Sequence, residues 1–312
     1  MSMTSISPLR RALPRALARL ALASSALLAG LVAGCGGGTS QVDVFVPGRI
    51  LVFGDELSLL TSDGRKFTTN FADENDIRHC DTGPIWVQTL AVHYGMVFAE
   101  CNPDTVANPK AKMLATEGAT SDDLAAQIQA LQAGDSIHSD DLATVLVGMN
   151  DVLQAYAAYP AESEAVLTSR VEAAAERVAG QVNALADAGA RVLVSTIPDL
   201  GQTPFAKKES ADKGDVAAAV LTRLSVAYNR AMRLKLTNDG SKIGLLLLDD
   251  LMRSMVRVPA AYGLVNIDTA VCAEDAPLPD CTSNTLITAD TTPTTSNYLW
   301  ADDTRPASVM HS

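Results

Sequence analysis

The sequence predicts an α/β protein built on a parallel sheet of about five strands, with helices on both faces. Short apolar runs rich in Val, Ile and Leu are typical of fully buried strands. These runs alternate along the chain with longer segments whose apolar residues recur every three to four positions. Such an alternation indicates parallel strands, because each helix carries the chain back across the sheet before the next strand begins.

Four apolar runs are the candidate central strands, and a weaker run is a possible fifth. The strong runs all end in aspartate: GRILVFGD (48–55), ATVLVGMND (143–151), ARVLVSTIPD (190–199) and IGLLLLDD (243–250). The weaker run is GMVFAE (95–100). Ligands of parallel α/β sheets bind at the carboxyl ends of the strands. We therefore expect a functional site near Asp55, Glu56, Asn150 and Asp151.

Four segments with helical spacing lie between these runs. Most of them begin near Ser, Asp or Pro and end at Gly, as helix caps require. They cover residues 84–95, 121–134, 165–190 and 215–240. The Thr- and Pro-rich segment 272–297 has no clear periodicity, which indicates a long surface loop.

The first 34 residues have the pattern of a lipoprotein signal peptide. Four arginines and no acidic residue precede an apolar run that is too short for a comfortable membrane span, and LVAGC (31–35) matches the bacterial lipoprotein cleavage box. We predict that residues 1–34 are removed and that Cys35 is lipidated. Residues 35–47 would then form a flexible tether to a single domain, 48–312. Gly36 resembles the residue found at this point in lipoproteins of the Gram-negative outer membrane, which predicts a lipid-anchored protein of the cell envelope.

The charge of the chain limits the partners that it can bind. The chain has 36 acidic and 24 basic residues, and loss of the leader would remove four of the basic ones. The remaining excess of negative charge argues against nucleic acid or anionic lipid as a partner. We therefore expect contact with a membrane only through the lipid anchor.

The remaining cysteines predict two disulfides. An even number of cysteines in an exported protein is typical of a disulfide framework. Cys272 and Cys281 flank a short loop that contains proline, so we pair them, and we pair Cys80 with Cys101 by default. A zinc site is the alternative, but the sequence has neither a CxxC pair nor a histidine cluster, and we predict no metal or other cofactor.

Four blocks of the sequence stand out: VFGDELS (52–58), TEGATS (116–121), VLVGMND (145–151) and YLWADDTRP (298–306). In order and spacing they resemble the blocks of the GDSL/SGNH hydrolases, a family of esterases and lipases. The match covers nearly all of the chain after the leader. The resemblance implies the flavodoxin-like three-layer fold of that family, with hydrolysis of small acyl or lipid esters as the family chemistry.

Carried over residue by residue, the resemblance implies an oxyanion hole formed by Gly118 and Asn150, and an orienting acid at Asp302. The position of the nucleophilic serine holds Glu56, and the position of the base histidine holds Arg305. Arginine cannot act as a base at any useful pH. Both groups that exchange a proton in a serine hydrolase are therefore replaced.

The two replacements predict an ion pair between Glu56 and Arg305, with Asp302 also contacting the guanidinium. A glutamate buried alone would cost several kcal/mol or remain protonated. Two hypotheses for function follow: a GDSL-type ester hydrolase with lost or altered activity, or a non-catalytic protein that binds an acyl or glycan ligand in the same pocket. A glutamate nucleophile with Asp302 or Asp55 as base, and a scaffold lipoprotein, are weaker alternatives.

Overall fold

Five parallel strands form the central sheet of the computed structural model, which describes residues 44–214, 216–289 and 292–311. Their order is β2–β1–β3–β4–β5, and every neighbouring pair runs parallel. The strands are β1 (Arg49–Gly54), β2 (Ala111–Met113), β3 (Asp141–Leu146), β4 (Arg191–Ser195) and β5 (Ile243–Leu246). The predicted signal peptide and Cys35 lie outside the described residues.

Within the described residues, seven helices accompany the sheet. They are α1 (Trp86–His93), α2 (Ser121–Gly134), α3 (Met149–Tyr156), α4 (Glu164–Asp187), α5 (Pro204–Lys213), α6 (Val216–Lys235) and α7 (Leu248–Arg257). None of the helices in the described part of the chain combines the length and the hydropathy that a bilayer span requires.

Strand β1 shows how the sheet is covered on both faces. Leu51 and Phe53 belong to the core that includes buried residues of α2, α4 and α6. Ile50 and Val52, which point the other way, belong to a second core that includes α1. Because successive side chains of a strand point to opposite faces, an uninterrupted apolar run is what a strand between two helical layers needs. The predicted α/β architecture is confirmed.

The fifth strand is not where the sequence placed it. The edge strand is β2, at residues 111–113, and the run 95–100 makes only isolated bridges, from Phe98 to Cys101 and to Ala111. Met96 and Phe98 are buried in the core beside α1. The apolar character of this run therefore reflects side-chain burial in a loop, not a place in the sheet.

A second, two-stranded sheet carries the C-terminal block. It pairs β6 (Asn266–Ala270) in parallel with β7 (Tyr298–Trp300), and the residues after β7 enter the candidate site. Both predicted disulfides are present, Cys80–Cys101 and Cys272–Cys281, each with 5.7 Å between its Cα atoms. The second disulfide is buried in a small cluster beside β7, and it joins the ends of the segment between residues 272 and 281.

Candidate active site

Glu56 lies at the sharp turn that follows β1. Gly54 has a φ of +132°, and a Cβ atom there would lie 2.0 Å from the carbonyl oxygen of Leu146, so only glycine fits. Asp55 caps the short 3₁₀ turn Glu56–Ser58, because its side chain accepts a hydrogen bond from the backbone N–H of Leu57 at 3.0 Å. The turn places the Glu56 side chain at the carboxyl end of the sheet.

The carboxylate of Glu56 accepts three hydrogen bonds and forms an ion pair. Oε2 accepts from the backbone N–H of Gly118 and from Nδ2 of Asn150, both at 3.0 Å. Oε1 accepts from Nε of Arg305 at 3.1 Å, and Nη2 of the same guanidinium lies 3.0 Å from it in the ion pair. The residue is only 2% exposed. A buried carboxylate is compatible with folding when donors and a partner charge surround it in this way.

The two Oε2 donors come from different parts of the chain. Gly118 lies in the loop between β2 and α2 with a φ of +70°, and Asn150 is the second residue of α3. Asn150 also donates to the carbonyl oxygen of Ala119 at 3.0 Å, which fixes its amide. The resemblance assigns to these two donors the task of binding the negative oxygen of a tetrahedral intermediate. In this chain an oxygen of Glu56 lies between them.

Arg305 is held by Asp302 as well as by Glu56. Oδ1 of Asp302 accepts from the backbone N–H groups of Thr304 and Arg305 at 2.9 and 2.6 Å, and Oδ2 accepts from Nη1 of Arg305 at 2.7 Å. The guanidinium also lies over the ring of Phe67, 5.4 Å from its centroid. Burial alone would lower the pKa of Arg305, but Asp302 and Glu56 raise it above its ordinary value. The group is a fixed cation.

Asp55 is unsuited to serve as a base here. Its Oδ2 is buried and has no hydrogen-bond partner among the described residues. Burial, and then the neighbouring charge of Glu56, raise the pKa of Asp55 well above its usual range, because a fully buried carboxyl is costly to ionise. Asp302 is occupied by three donors. A mechanism with Glu56 as nucleophile therefore lacks a proton acceptor among these carboxylates.

Serine and histidine side chains do not replace the missing pair. Ser58 lies in the 3₁₀ turn and accepts from Nε1 of Trp86 at 3.2 Å. Within the described part of the chain, none of the four histidines makes a hydrogen bond with Glu56. His311 is buried, whereas the other three are exposed.

A separate group of side chains has the spacing of a cation site. His138, Asp140 and Asp141 each offer a ligand atom within 4.8 Å of the others. Asp141 is already paired with Arg49, and its charge is therefore satisfied by the protein. These three residues lie at the amino-terminal end of β3, whereas Asn150 follows its carboxyl-terminal end.

The sequence did not indicate an apolar cavity of about 200 Å³ next to this site. The cavity is lined by Leu57, Trp86, Leu146, Ser195, Leu246, Leu248, Leu251, Pro306, Met310 and His311. Two of these residues directly follow Glu56 and Arg305 in the sequence. The others come from strands and helices far apart in the chain, and periodicity cannot reveal such a grouping.

Comparison with known proteins supports the first three sequence blocks, whereas the block 298–306 lies beyond the matched residues. The model of the GDSL-like lipase/acylhydrolase family matches residues 50–255. Similar solved structures include an extracellular lipase from Streptomyces rimosus, with 13% identity over 85% of this chain and 94% of that one and a TM-score of 0.42. The acetylxylan esterase Axe2 from Geobacillus stearothermophilus has 13% identity over 70% and 84%, with a TM-score of 0.37. A lipolytic protein of the G-D-S-L family from Veillonella parvula has 11% identity over 67% and 82%, with a TM-score of 0.34.

No curated protein matches the chain. The family model nevertheless spans more than half of its length. The chain belongs to the GDSL-like lipase/acylhydrolase family.

Proposed function

We propose that this protein is a non-hydrolytic member of its family, in which the ester-hydrolysing centre is closed by the ion pair between Glu56 and Arg305. The observation that carries the proposal is the set of three hydrogen bonds on the Glu56 carboxylate, together with its ion pair with Arg305. These bonds use both oxyanion donors and the residue at the position of the base.

Ester hydrolysis on this scaffold needs an activated nucleophile, a base and free donors for the developing oxyanion. Glu56 has no hydroxyl to activate, and Arg305 cannot accept a proton. Gly118 and Asn150 already donate to a full negative charge. An ester carbonyl, which carries only a partial charge, would have to displace that carboxylate from a buried position.

We also propose that the protein is a lipoprotein of the bacterial cell envelope, anchored through Cys35 and directed to the outer membrane. The support for this proposal is the sequence of the leader, with its arginines, apolar run and LVAGC box. The acidic excess of the remaining chain fits a domain whose membrane attachment depends on the lipid and not on basic residues.

Hydrolysis of p-nitrophenyl butyrate and octanoate tests the closed centre. We would assay the mature polypeptide from Gly36 onward, beside Glu56→Ala, Glu56→Ser and the double variant Glu56→Ser with Arg305→His. We expect no turnover by the unaltered protein or by Glu56→Ser, and measurable turnover by the double variant. A rate that persists in Glu56→Ala would come from a contaminant, which makes that variant the control.

Turnover by the unaltered protein that disappears in Glu56→Ala would refute the proposal and establish a carboxylate-based mechanism. Turnover in Glu56→Ser alone would show that a base other than residue 305 is available in the site. Labelling of Cys35 by a radioactive fatty acid in cells, and its loss in Cys35→Ser, tests the anchor.

A further inference from the structure

Strand β5 forms an edge of the central sheet that the described residues leave open. It is the last strand in the order β2–β1–β3–β4–β5, so within the sheet it pairs only with β4. Gly244 is exposed, and Leu245 and Leu246 are each 39% exposed. These two leucines point to opposite faces, because successive side chains of a strand alternate. Both faces of the sheet are therefore incompletely covered at this edge.

The backbone of β5 also has hydrogen-bonding groups that point away from the sheet. The carbonyl oxygens of Lys242 and Leu246 accept from backbone N–H groups of β4 and of the residue after it, at 2.8 and 2.9 Å. Because alternate residues of a strand direct their backbone groups to opposite sides, those of the odd-numbered residues point outward. No backbone hydrogen bond joins the N–H or the C=O of Leu245 to a described residue outside the sheet.

The row of outward groups is short, because the chain itself satisfies the next group on each side. The N–H of Ile243 donates to the carbonyl oxygen of Asp239 at 2.9 Å, and the carbonyl oxygen of Leu247 accepts from the N–H of Leu251 at 3.1 Å. The C=O of Ile243, both groups of Leu245 and the N–H of Leu247 remain. This row is its own complement when the strand is reversed. In an antiparallel pair of copies, Leu245 would bond to Leu245, and each Leu247 N–H would bond to the C=O of Ile243.

The side chains of this edge are complementary in the same arrangement. With Leu245 opposite itself, Gly244 of one copy lies opposite Leu246 of the other, at a position where facing side chains approach most closely. Leu246 can occupy the space that Gly244, without a side chain, leaves open. At each end, exposed Lys242, which makes no ion pair with a described residue, would approach the first turn of α7 in the other copy. Asp250 of that turn is 50% exposed and has an ion pair only at 3.2 Å, so opposite charges meet there.

The edge of β5 lacks the features that normally prevent such pairing. Edge strands are usually protected by charged residues, proline or a bulge. The run IGLLLL (243–248) has no charged residue and no proline, and the pairing of β5 with β4 has no register shift. Strand β6 is different, because its register is irregular and the side chain of Asn266 accepts from the N–H groups of Asp268 and Thr269. The open edge of β5 therefore favours a partner strand.

We propose that two copies of the chain associate through β5, antiparallel about a two-fold axis at Leu245, so that their central sheets join into one. A lipid surface does not suit this edge, because its backbone groups would lose water without gaining hydrogen bonds. An unstructured peptide would make the same few hydrogen bonds but would lose conformational entropy, which a preformed strand does not. The proposal does not depend on whether the centre at Glu56 and Arg305 hydrolyses esters.

Sedimentation velocity of the mature polypeptide, between about 1 and about 200 μM, tests the proposal. We expect a reversible dimer with a dissociation constant on the order of 10 μM, because a contact at one edge strand is smaller than a standard interface. A monomer over this whole range would overturn the proposal.

Residue 245 lies opposite itself only in a two-fold pairing, and a charge exchange tests this feature. Leu245→Lys and Leu245→Glu each place like charges opposite each other, so each variant alone should dimerise at least about tenfold more weakly. An equimolar mixture should form a heterodimer, which high salt weakens. Leu234→Lys and Leu234→Glu, at a leucine that is 80% exposed on α6, are the matched controls and should leave the dissociation constant unchanged. An equal loss at both positions, or no heterodimer in the mixture, would refute this arrangement.

Amide hydrogen exchange locates the contact without any substitution. The N–H groups of Leu245 and Leu247 gain partners only in the dimer, so their exchange should slow as the protein concentration rises. The N–H groups of Gly244 and Leu246 face β4 and should change less. Protection of Leu245 that is equal at every concentration would mean that another segment of the same chain covers the edge. Concentration-dependent protection confined to other residues would place the interface elsewhere, and either result would overturn the proposal.

Discussion

Replacement of Arg305 by methionine would leave the Glu56 carboxylate buried without its partner charge. Breaking a buried ion pair by removal of one member costs about 3 to 5 kcal/mol. The side chain of Arg305 is 23% exposed and Oε2 of Glu56 keeps two donors, so we expect a value near the lower limit, about 3 kcal/mol. Glu56→Met removes the acceptor from Gly118 and Asn150, and we expect it to lower the free energy of unfolding by about 2 kcal/mol.

The double variant separates the pair from its surroundings. With both charges gone, neither is left uncompensated, so the double variant should lose less than the sum of the single variants, with a coupling energy of about 2 kcal/mol. The measurement is equilibrium unfolding in urea at pH 7 without reductant, which keeps both disulfides intact. Equal m-values across the four proteins would show that the comparison is valid.

An exposed ion pair between α5 and the loop of Arg305 is the control for this cycle. Lys208 and Asp303 are 2.7 Å apart, but their side chains are 65% and 44% exposed. We expect a coupling of at most about 1 kcal/mol there, and less at high salt. If the pair of Glu56 and Arg305 shows no more coupling than this control, then it does not hold the centre closed, and our reasoning about the site is wrong.

Two further predictions concern the fold around the site. In the folded protein burial lowers the pKa of His311 to about 4 from its ordinary 6.5, so the unfolded chain binds a proton more readily than the folded one. The contribution of neutral His311 to the free energy of unfolding is therefore complete above pH 6.5 and is lost as the pH falls toward 4. Between pH 7 and 4 the free energy of unfolding should therefore fall by about 3 kcal/mol more in the unaltered protein than in His311→Phe. An equal fall in the two proteins would contradict the lowered pKa of His311. At Gly148, where φ is +127°, a Cβ atom would lie 2.1 Å from the ring of Tyr228, and Gly148→Ala should cost at least about 3 kcal/mol. Gly180→Ala, in α4 with nothing within 4 Å, should instead stabilise slightly, and equal urea midpoints for these two variants would refute the steric explanation.

Four strands of the sheet and two of the site residues could be predicted because local pattern and long-range position coincide. Each central strand is an apolar run that ends in polar residues, and parallel strands bring those ends to one edge. Glu56 and Asn150 follow β1 and β3, which are adjacent strands, so their proximity follows from the topology. Gly118, in the loop after β2, follows from the same geometry once β2 is placed beside β1.

Other parts of the structure have no local pattern. Strand β2 is three residues long and includes Lys112, so its sequence gives no strand signal, and it gains its place by pairing with β1. Helix α7 begins two residues after β5 within one continuous run of leucines, and leucine suits either element. Helix α5 begins at Pro204, whose fixed φ suits a first helical turn as well as a loop.

The contact between Glu56 and Arg305 joins residues that are 249 positions apart. It was predicted only because the two departures from the family pattern carry opposite charges. Its geometry, with one carboxylate oxygen on the arginine and the other on Gly118 and Asn150, depends on how the C-terminal block folds back after β7. Sequence spacing does not contain that information.

The hydrogen bonds and ion pair around Glu56 also mean that any change to a serine hydrolase needs two substitutions and passes through an unfavourable single variant. Serine alone at position 56 would leave Arg305 facing a hydroxyl, with no group able to take its proton. Histidine alone at position 305 would leave the buried carboxylate with a weaker partner and still without a nucleophile. On the proposed function, either single reversal lowers stability without giving ester hydrolysis, so selection for that activity would find no intermediate to favour. The ion pair would then oppose a return to ester hydrolysis, and further substitutions are expected to separate such a sequence from its catalytic relatives.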